Sequence, residues 1–135
     1  MATGGDINEV RYNHPTLGTG VFYPKAGESN TFDLGGVRTG DDAAMIDGAG
    51  QPIYQMNRVR GFAEIVVANN TDGLNSDLQT VKNLSQDPVA AEWTVSLLNG
   101  NIYGITGKPV GDLQLDSNAA TFTLKISGGE MKRIL

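Results

Sequence analysis

The feature that most restricts the fold of this chain is an alternation of apolar and polar residues with a period of two. In residues 90–100 and 118–129, apolar side chains fall on one face of an extended strand and polar side chains on the other, as a half-buried strand requires. The apolar positions are Ala91, Trp93, Val95, Leu97, Ala120, Phe122, Leu124 and Ile126, and the polar positions are Glu92, Thr94, Ser96, Thr121, Thr123, Lys125 and Ser127. Residues 58–68 alternate less regularly, with Glu64 on the polar face. The sequence therefore predicts a β-rich chain.

One segment has helical spacing instead. In residues 74–88 an apolar stripe recurs every three or four positions, Asn75 or Ser76 can cap the start, and Asp87-Pro88 can stop the helix. The stripe consists of Leu74, Leu78, Val81 and Leu84. We predict that these residues pack the helix onto the sheet.

Turn signals divide the rest of the chain into short strands. Asn99-Gly100 is typical of a type I′ hairpin turn, because both residues tolerate a positive φ. Segments bounded by Gly, Pro or Asn predict strands at residues 7–12, 20–23, 30–34 and 110–115. Strands, one helix and then strands again predict a mainly β domain of the α+β type, an antiparallel sandwich or barrel-like fold with one flanking helix.

The segment from Gly35 to Arg58 has neither a strand's alternation nor a helix's stripe. Structureless connections longer than about 12 to 15 residues are uncommon in compact domains unless they are functional or disordered. This segment mixes glycines with apolar residues that a purely solvated linker does not need. We predict a long inter-strand loop on which something packs.

Length and composition exclude several classes of protein. The chain has 135 residues, 39% of them hydrophobic, so we expect one domain over residues 1–135 with short N-terminal and C-terminal arms. It has no cysteine, which excludes disulfides, thiolate metal sites and a cysteine nucleophile. The start lacks a signal-peptide pattern and no apolar run approaches the roughly 18 residues that span a bilayer. We expect synthesis in the cytosol and no membrane segment.

The search for catalytic motifs predicts no enzyme. The one histidine, His14, has no second histidine or cysteine to share a metal, so a structural or surface role is expected. The Asp41-Asp42 pair with Asp47 lacks the EF-hand spacing, and residues 104–111 lack the Walker spacing and are predicted to form a turn. No cofactor or metal is therefore predicted. The net charge of −5, with scattered basic residues, argues against binding to nucleic-acid phosphates.

The polar strand faces and the chain ends are the remaining candidates for function. Strands 91–97 and 121–126 carry Ser and Thr with little charge, which suits contact with neighbouring subunits or a smooth, wetted wall. Exposed strand edges in a small β domain also invite coverage by another chain. The predicted lumen-facing or subunit-facing positions are Glu64, Glu92, Thr94, Ser96, Thr121, Thr123 and Lys125.

Three stretches of the chain resemble small bacteriophage tail tube proteins. These are GGDINEVRYNHPTLGTGVFYPKAGESNTFDLGG, NRVRGFAEIVVA and EWTVSLLNGNIYGITGKPVGDLQLDSNAATFTLKISGG, which together cover nearly the whole chain. The shared motifs are glycine and turn patterns. The resemblance implies a tail tube fold similar to that of the type VI secretion tube protein, assembled as stacked hexameric rings around a channel for DNA.

The resemblance also implies partners and a role for the long loop. In that family a loop between early strands reaches the adjacent ring, and residues 36–56 lie at the matching point. The implied stacking residues are Gly36, Asp41, Asp42, Met45, Ile46, Ile53, Tyr54 and Met56. The implied partners are sheath, baseplate, tape measure and tail terminator proteins, in a virion assembled in the bacterial cytoplasm, with DNA passing through unbound.

Two other functions remain open at this point. A tube subunit of a contractile injection or type VI-like secretion system would have nearly the same sequence pattern. A monomeric carbohydrate-binding β-barrel would need several aromatic residues on one polar face, for which the tyrosines are the candidates. Trp93 and Phe122 fall on apolar faces and are expected in the core.

Overall fold

Antiparallel strands are the main secondary structure of the computed structural model, which describes residues 1–40 and 45–135. The prediction of a mainly β chain with one helix is confirmed for these residues. The strands are β1 Ile7–His14, β2 Gly18–Phe22, β3 Thr31–Asp33, β4 Gly36–Thr39, β5 Met45–Ile46, β6 Pro52–Ile53, β7 Met56–Val59, β8 Gly61–Ala68, β9 Ala91–Leu97, β10 Ile102–Pro109, β11 Leu115–Asp116, β12 Thr121–Gly128 and β13 Lys132–Arg133, and the helix is α1 Asp77–Gln86.

The main sheet bends into two layers at β10. Its strand order is β2-β1-β9-β10-β12-β8-β3, with β11 on β12 and β13 on β10. Strand β10 pairs with β9 from Ile102 to Gly107, but with β12 only from Gly107 to Pro109. The first layer is therefore β2-β1-β9-β10-β13 and the second is β3-β8-β12-β11. In the described residues β2 and β3 remain separate edges, so the sheet does not close into a barrel.

The two layers enclose one hydrophobic core. The rings of Phe32 in the second layer and Tyr103 in the first are 6.1 Å apart, which shows that the layers face each other. Trp93 lies at the centre of an aromatic group with Tyr12 and Phe22, and its indole N–H donates to the carbonyl of Gly107 at 3.0 Å. Six of the eight alternating positions predicted to be apolar belong to this core, namely Ala91, Trp93, Val95, Phe122, Leu124 and Ile126. The apolar residues of the two-residue alternation thus form the inward face of each layer.

Three glycines lie side by side where the layers join. Gly107 of β10 pairs with Gly128 of β12, which pairs in turn with Gly61 of β8. A Cβ on Gly128 would overlap the carbonyl group of Thr106, and one on Gly61 would overlap that of Gly129. The backbones approach this closely because none of the three residues has a side chain.

Helix α1 packs at the end of the sandwich where β8 stops. Ser76 caps it by accepting from the amide of Gln79 at 3.2 Å, and Val81 and Leu84 are buried while Leu78 packs against the core. Leu74 is fully exposed, with 102% of its reference area accessible. The predicted stripe is therefore wrong at Leu74, because the helix begins only after the cap at Ser76.

Three predicted local structures differ from those observed. At the β9–β10 hairpin only Gly100 has a positive φ, 92°, and its amide donates to Leu97 at 3.1 Å. The turn is therefore a three-residue loop with glycine at its left-handed position rather than type I′. Residues 104–109 belong to β10, so the turn predicted at residues 104–111 occurs only at Gly111. Of the strand predicted at residues 110–115, only Leu115 belongs to a strand. Ala120 adopts a φ of 55° in a turn and is exposed instead of facing the core.

The predicted C-terminal arm is part of the sheet. Lys132 and Arg133 form β13 on β10, and the amide of Ile134 donates to Ile102 at 2.7 Å. Met131 is buried, with 1% of its area exposed. Strand β13 covers the part of β10 that β12 leaves unpaired. The first five residues of the chain, in contrast, are exposed.

Substitution of Leu84 by alanine should lower the free energy of unfolding by about 2 to 5 kcal/mol, because a buried leucine leaves a cavity. The matched change Leu74→Ala should stay within about 0.5 kcal/mol, since that side chain is exposed. Urea unfolding followed by the fluorescence of Trp93 measures both. Equal losses for the two variants would contradict the placement of the helix.

Candidate functional site

Between β3 and β8 the described residues form two pairs of antiparallel strands, here called the hairpin arm (residues 36–40 and 45–59). Its base is the pair β4–β7 and its outer part the pair β5–β6. Asp47 closes the tip, because its Oδ1 accepts the amides of Ala49 and Gln51 at 2.9 Å each. The prediction of an irregular loop is therefore wrong. The alternation that usually reveals strands is missing because neither face of the outer arm is buried.

The hairpin arm exposes an unusual amount of apolar surface. The exposed fractions are 61% for Met45, 72% for Ile46, 46% for Ile53, 66% for Tyr54 and 72% for Met56. Within the described residues, β4 pairs only with β7 and β5 only with β6. Gly36 is half-buried at the base, and the predicted stacking residues Asp41 and Asp42 lie outside the described residues. Five large exposed apolar side chains on one short arm indicate a site of contact with another molecule.

An ion pair fixes the base of the hairpin arm to the sheet. The guanidinium of Arg38 in β4 donates to both carboxylate oxygens of Asp33 in β3, at 2.8 Å for the Nη1 contact. The amide of Gly35 also donates to Asp33, and the φ of Gly35 is 72°. These hydrogen bonds, first of all that from Arg38, lower the pKa of Asp33 from 3.8 to about 2. The charged pair therefore sets the direction in which the arm leaves the sheet.

The seven predicted lumen-facing or subunit-facing positions divide between opposite sides of the sandwich. Glu92, Thr94 and Ser96 alternate with buried residues of β9 and point outward from the first layer. Positions 64, 121, 123 and 125 belong to the second layer, where Glu64 is exposed, Thr123 and Lys125 are half-buried and Thr121 is buried. The structure therefore does not bring the predicted set together on one surface. We call the two surfaces the first outer face and the second outer face.

The first outer face carries an unneutralised carboxylate. Arg11 is already paired with Glu9 at 2.7 Å, whereas Glu92 lies between Asn13 and Thr106 in register. No ion pair to Glu92 occurs among the residues that the structure describes. A cleft of about 370 Å³ beside Glu92 also contains Glu130 and Lys132. Negative charge therefore exceeds positive charge around Glu92.

The second outer face is rich in cations. Lys125 lies directly opposite Glu64, and Lys108 lies opposite Ser127. Arg60 donates to the hydroxyl of Ser127 at 3.0 Å, and its guanidinium lies 4.6 Å from the centre of the Phe62 ring. Sequence reasoning missed this cluster, because nothing in the spacing of these residues places three strands side by side.

His14 is buried, with 2% of its area exposed. Its Nδ1 accepts the amides of Thr16 at 3.1 Å and Leu17 at 3.0 Å, so the proton lies on Nε2, which donates to the carbonyl of Val89 at 3.0 Å. All hydrogen-bonding positions of the ring are used to join the β1–β2 turn to the segment after the helix. The role of this histidine in the described structure is structural.

The described residues contain no group of three or more His, Asp or Glu side chains placed to hold a metal ion. In the same part of the chain no helix has the length and apolarity needed to span a bilayer. No protein-family model matches the chain, and no curated protein matches it. The argument for a function therefore depends on the surfaces described above.

A titration of Asp33 by NMR should give a midpoint near 2, and the variant Arg38→Gln should raise it toward the ordinary 3.8. Because the folded pKa lies below the unfolded one, the pair stabilises the arm above pH about 4 and loses this effect as the pH falls toward 2. The protection factors of the arm amides, which correct for the intrinsic pH dependence of hydrogen exchange, should therefore fall over this interval. An unchanged midpoint in Arg38→Gln would show that the ion pair does not form.

Proposed function

We propose that this protein is a bacteriophage tail tube subunit, which stacks as hexameric rings around a channel through which DNA passes into the host. Its fold would be the tail tube fold, and its place the virion, assembled in the bacterial cytoplasm. The partners in this proposal are further copies of the chain together with sheath, baseplate, tape measure and tail terminator proteins. The proposed role is structural, with no catalytic step and no cofactor.

The hairpin arm is the observation that carries the proposal. Five large apolar side chains of the hairpin arm are between 46% and 72% exposed. A hairpin of two strands is marginally stable by itself in water. Burial on a neighbouring ring would remove this apolar area from water, at about 25 cal/mol per Å² before the entropy of ordering the arm is subtracted. The resemblance places a ring-stacking loop at the same point of the chain.

The position of the hairpin arm suits head-to-tail stacking. The hairpin arm leads into β8 at Gly61. The helix begins near the other end of β8, where the amide of Leu78 donates to the side-chain oxygen of Asn69 at 3.1 Å. Strand β8 has 8 residues, so the arm and the helix are separated by roughly 25 Å at about 3.3 Å per residue. A contact between unlike ends of identical subunits does not close on itself and generates a filament.

The sheet edges suit lateral association into rings. In the described residues β2 and β3 end the strand order, and β13 is an edge that pairs only with β10. Edge strands with unpaired amide and carbonyl groups are commonly covered by another chain. A neighbouring subunit that adds its own edge strand would cover these groups, and repetition by rotation would close the ring.

Net charge supports the passage of DNA without retention. Six copies at −5 each give a ring of about −30. A negatively charged wall repels the phosphate backbone, whereas a basic wall would bind it by releasing counterions. The net negative charge of the chain would therefore favour the passage of DNA through the channel without binding.

An inner tube subunit of a contractile injection or type VI-like secretion system is the alternative, and sheath partners would separate the two. A carbohydrate-binding module is less well supported. Trp93 and Tyr12 belong to the core, and the exposed Tyr23 and Tyr54 lie on different elements, the first after β2 and the second in the hairpin arm. They do not form one aromatic surface.

Replacement of residues 39–52 by a short Gly-Ser linker should abolish tubes in negative-stain electron microscopy. The melting temperature of the isolated subunit should hardly change, because the arm pairs with itself and loop length alone contributes only about 0.6 kcal/mol per doubling. Tubes of normal length, or a subunit that unfolds, would refute the role of the arm.

A more conservative variant keeps the hairpin and removes only its apolar surface. Substitution of Met45, Ile46, Ile53 and Tyr54 by serine should also prevent tubes. The control Leu74→Ser, at a leucine that is fully exposed outside the arm, should leave them intact. Wild-type protein that stays monomeric at every concentration would refute the tube function itself.

The purified protein should not retain duplex DNA on a filter at low salt, because its net charge of −5 opposes phosphate binding. A polylysine sample in the same assay shows that retention is detectable. Tight binding that weakens steeply with added salt would contradict a channel that repels DNA.

A further inference from the structure

We propose that the first outer face lines the channel and that the second outer face points away from it. This assignment rests on the tube function proposed above. It decides between two surfaces on opposite sides of the sandwich, each of which carries residues expected at a lumen. Only one of the two can face the axis of a ring.

Charge separates the two faces. On the first, Arg11 is neutralised by Glu9, and Glu92 has no ion-pair partner among the described residues. The adjoining cleft adds Glu130 and Lys132, of which Glu130 also lines a second cleft with Arg58 and Arg60. A duplex moving past this wall meets a small excess of negative charge. Repeated around each ring and along the stacked rings, that excess gives a continuous repelling surface.

The second face has the opposite balance. Its cations are Arg60, Lys108 and Lys125. Glu64 faces Lys125, and the edge residue Asp33 is already paired with Arg38. Each cation turned toward the channel would release counterions on meeting a phosphate and thereby bind the passing DNA. Such a face is better placed on the outside of a tube, where acidic protein surfaces can pair with it.

The side chains of the first face agree with this assignment. In the middle of the face Thr94 pairs with Gly104 and Glu92 with Thr106, and the exposed Ile134 lies over Gly104. Open clefts of about 370 and 380 Å³ adjoin Glu92 and Thr94. No aromatic ring with an arginine stacked on it occurs here among the described residues.

The second face presents an aromatic ring among its cations. Phe62 and Val66 are half-buried on the outward side of β8, and Arg60 stacks on the Phe62 ring. Aromatic and arginine side chains together are typical of protein–protein contacts. This composition suits contact with a surrounding protein layer rather than with a passing polyanion.

Cysteine mapping tests the assignment, because the chain has no cysteine of its own. Thr94→Cys and Thr123→Cys form a matched pair, since both threonines are half-buried and both occupy outward-facing positions of their strands. Tubes of each variant are treated with a bulky polyethylene-glycol maleimide, and modification is followed by the shift on a denaturing gel. A small maleimide applied to unassembled subunits shows that both thiols are reactive.

In tubes, the bulky reagent should modify Thr123→Cys and leave Thr94→Cys at least tenfold less modified. Modification of Thr94→Cys to the same extent, or protection of Thr123→Cys, would overturn the assignment. If either variant fails to assemble, Ser96→Cys and Ser127→Cys provide a second pair on the same two faces. A failure of the tube function is distinguishable, because wild-type protein then forms no tubes to label.

Discussion

The close backbone contact at the glycine row of β10, β12 and β8 is the constraint on which the rest of the structure depends. Gly107, Gly128 and Gly61 are in register, and a Cβ on any of them would overlap a neighbouring backbone atom. Here the sheet leaves one layer and enters the other. The bend turns the apolar faces toward each other and the polar faces apart. It also places the start of β8, and with it the base of the hairpin arm, at the edge of the sandwich.

The two layers explain why one short chain presents surfaces of different character. Each strand that buries every second side chain must expose the others, so a folded sheet has two outer faces. Their charge then depends on which strands the bend brings together. The carboxylate of Glu92 lies among polar residues without a cation in register, whereas Lys125 and Arg60 both lie on the second outer face. The proposed tube uses this difference to repel DNA on one side and to meet protein on the other.

The hairpin arm adds a third surface, which is apolar. Asp33 and Arg38 hold its base against the sheet, while its outer side chains remain exposed. The exposed area of these side chains, between 46% and 72% of each residue, contributes nothing to the stability of a single chain, because it remains in contact with water. Burial of these side chains against a neighbouring subunit would stabilise the assembly. The proposed function therefore links a local feature of one subunit to the stability of a filament.

The sequence by itself determined the parts of the structure that depend on local periodicity. The alternation in β9 and β12 predicted their buried faces, and the stripe at Val81 and Leu84 predicted the buried side of the helix. Leu74 was misassigned because the cap at Ser76, rather than the apolar spacing, begins the helix. The arm was misassigned because exposed strands need no alternation.

Only the tertiary structure decided how these elements combine. The sequence placed Glu92, Thr94, Glu64 and Thr123 in one class of polar strand positions, and the bend at β10 separated them onto opposite faces. Pairings such as Arg60 with Ser127 join residues 67 positions apart, and no spacing rule specifies such contacts. The alternation of side chains is a property of a single strand. The register of a strand and the layer to which it belongs depend on its packing against other strands. The sequence therefore determined which side chains point outward, and the packing decided what each of them faces.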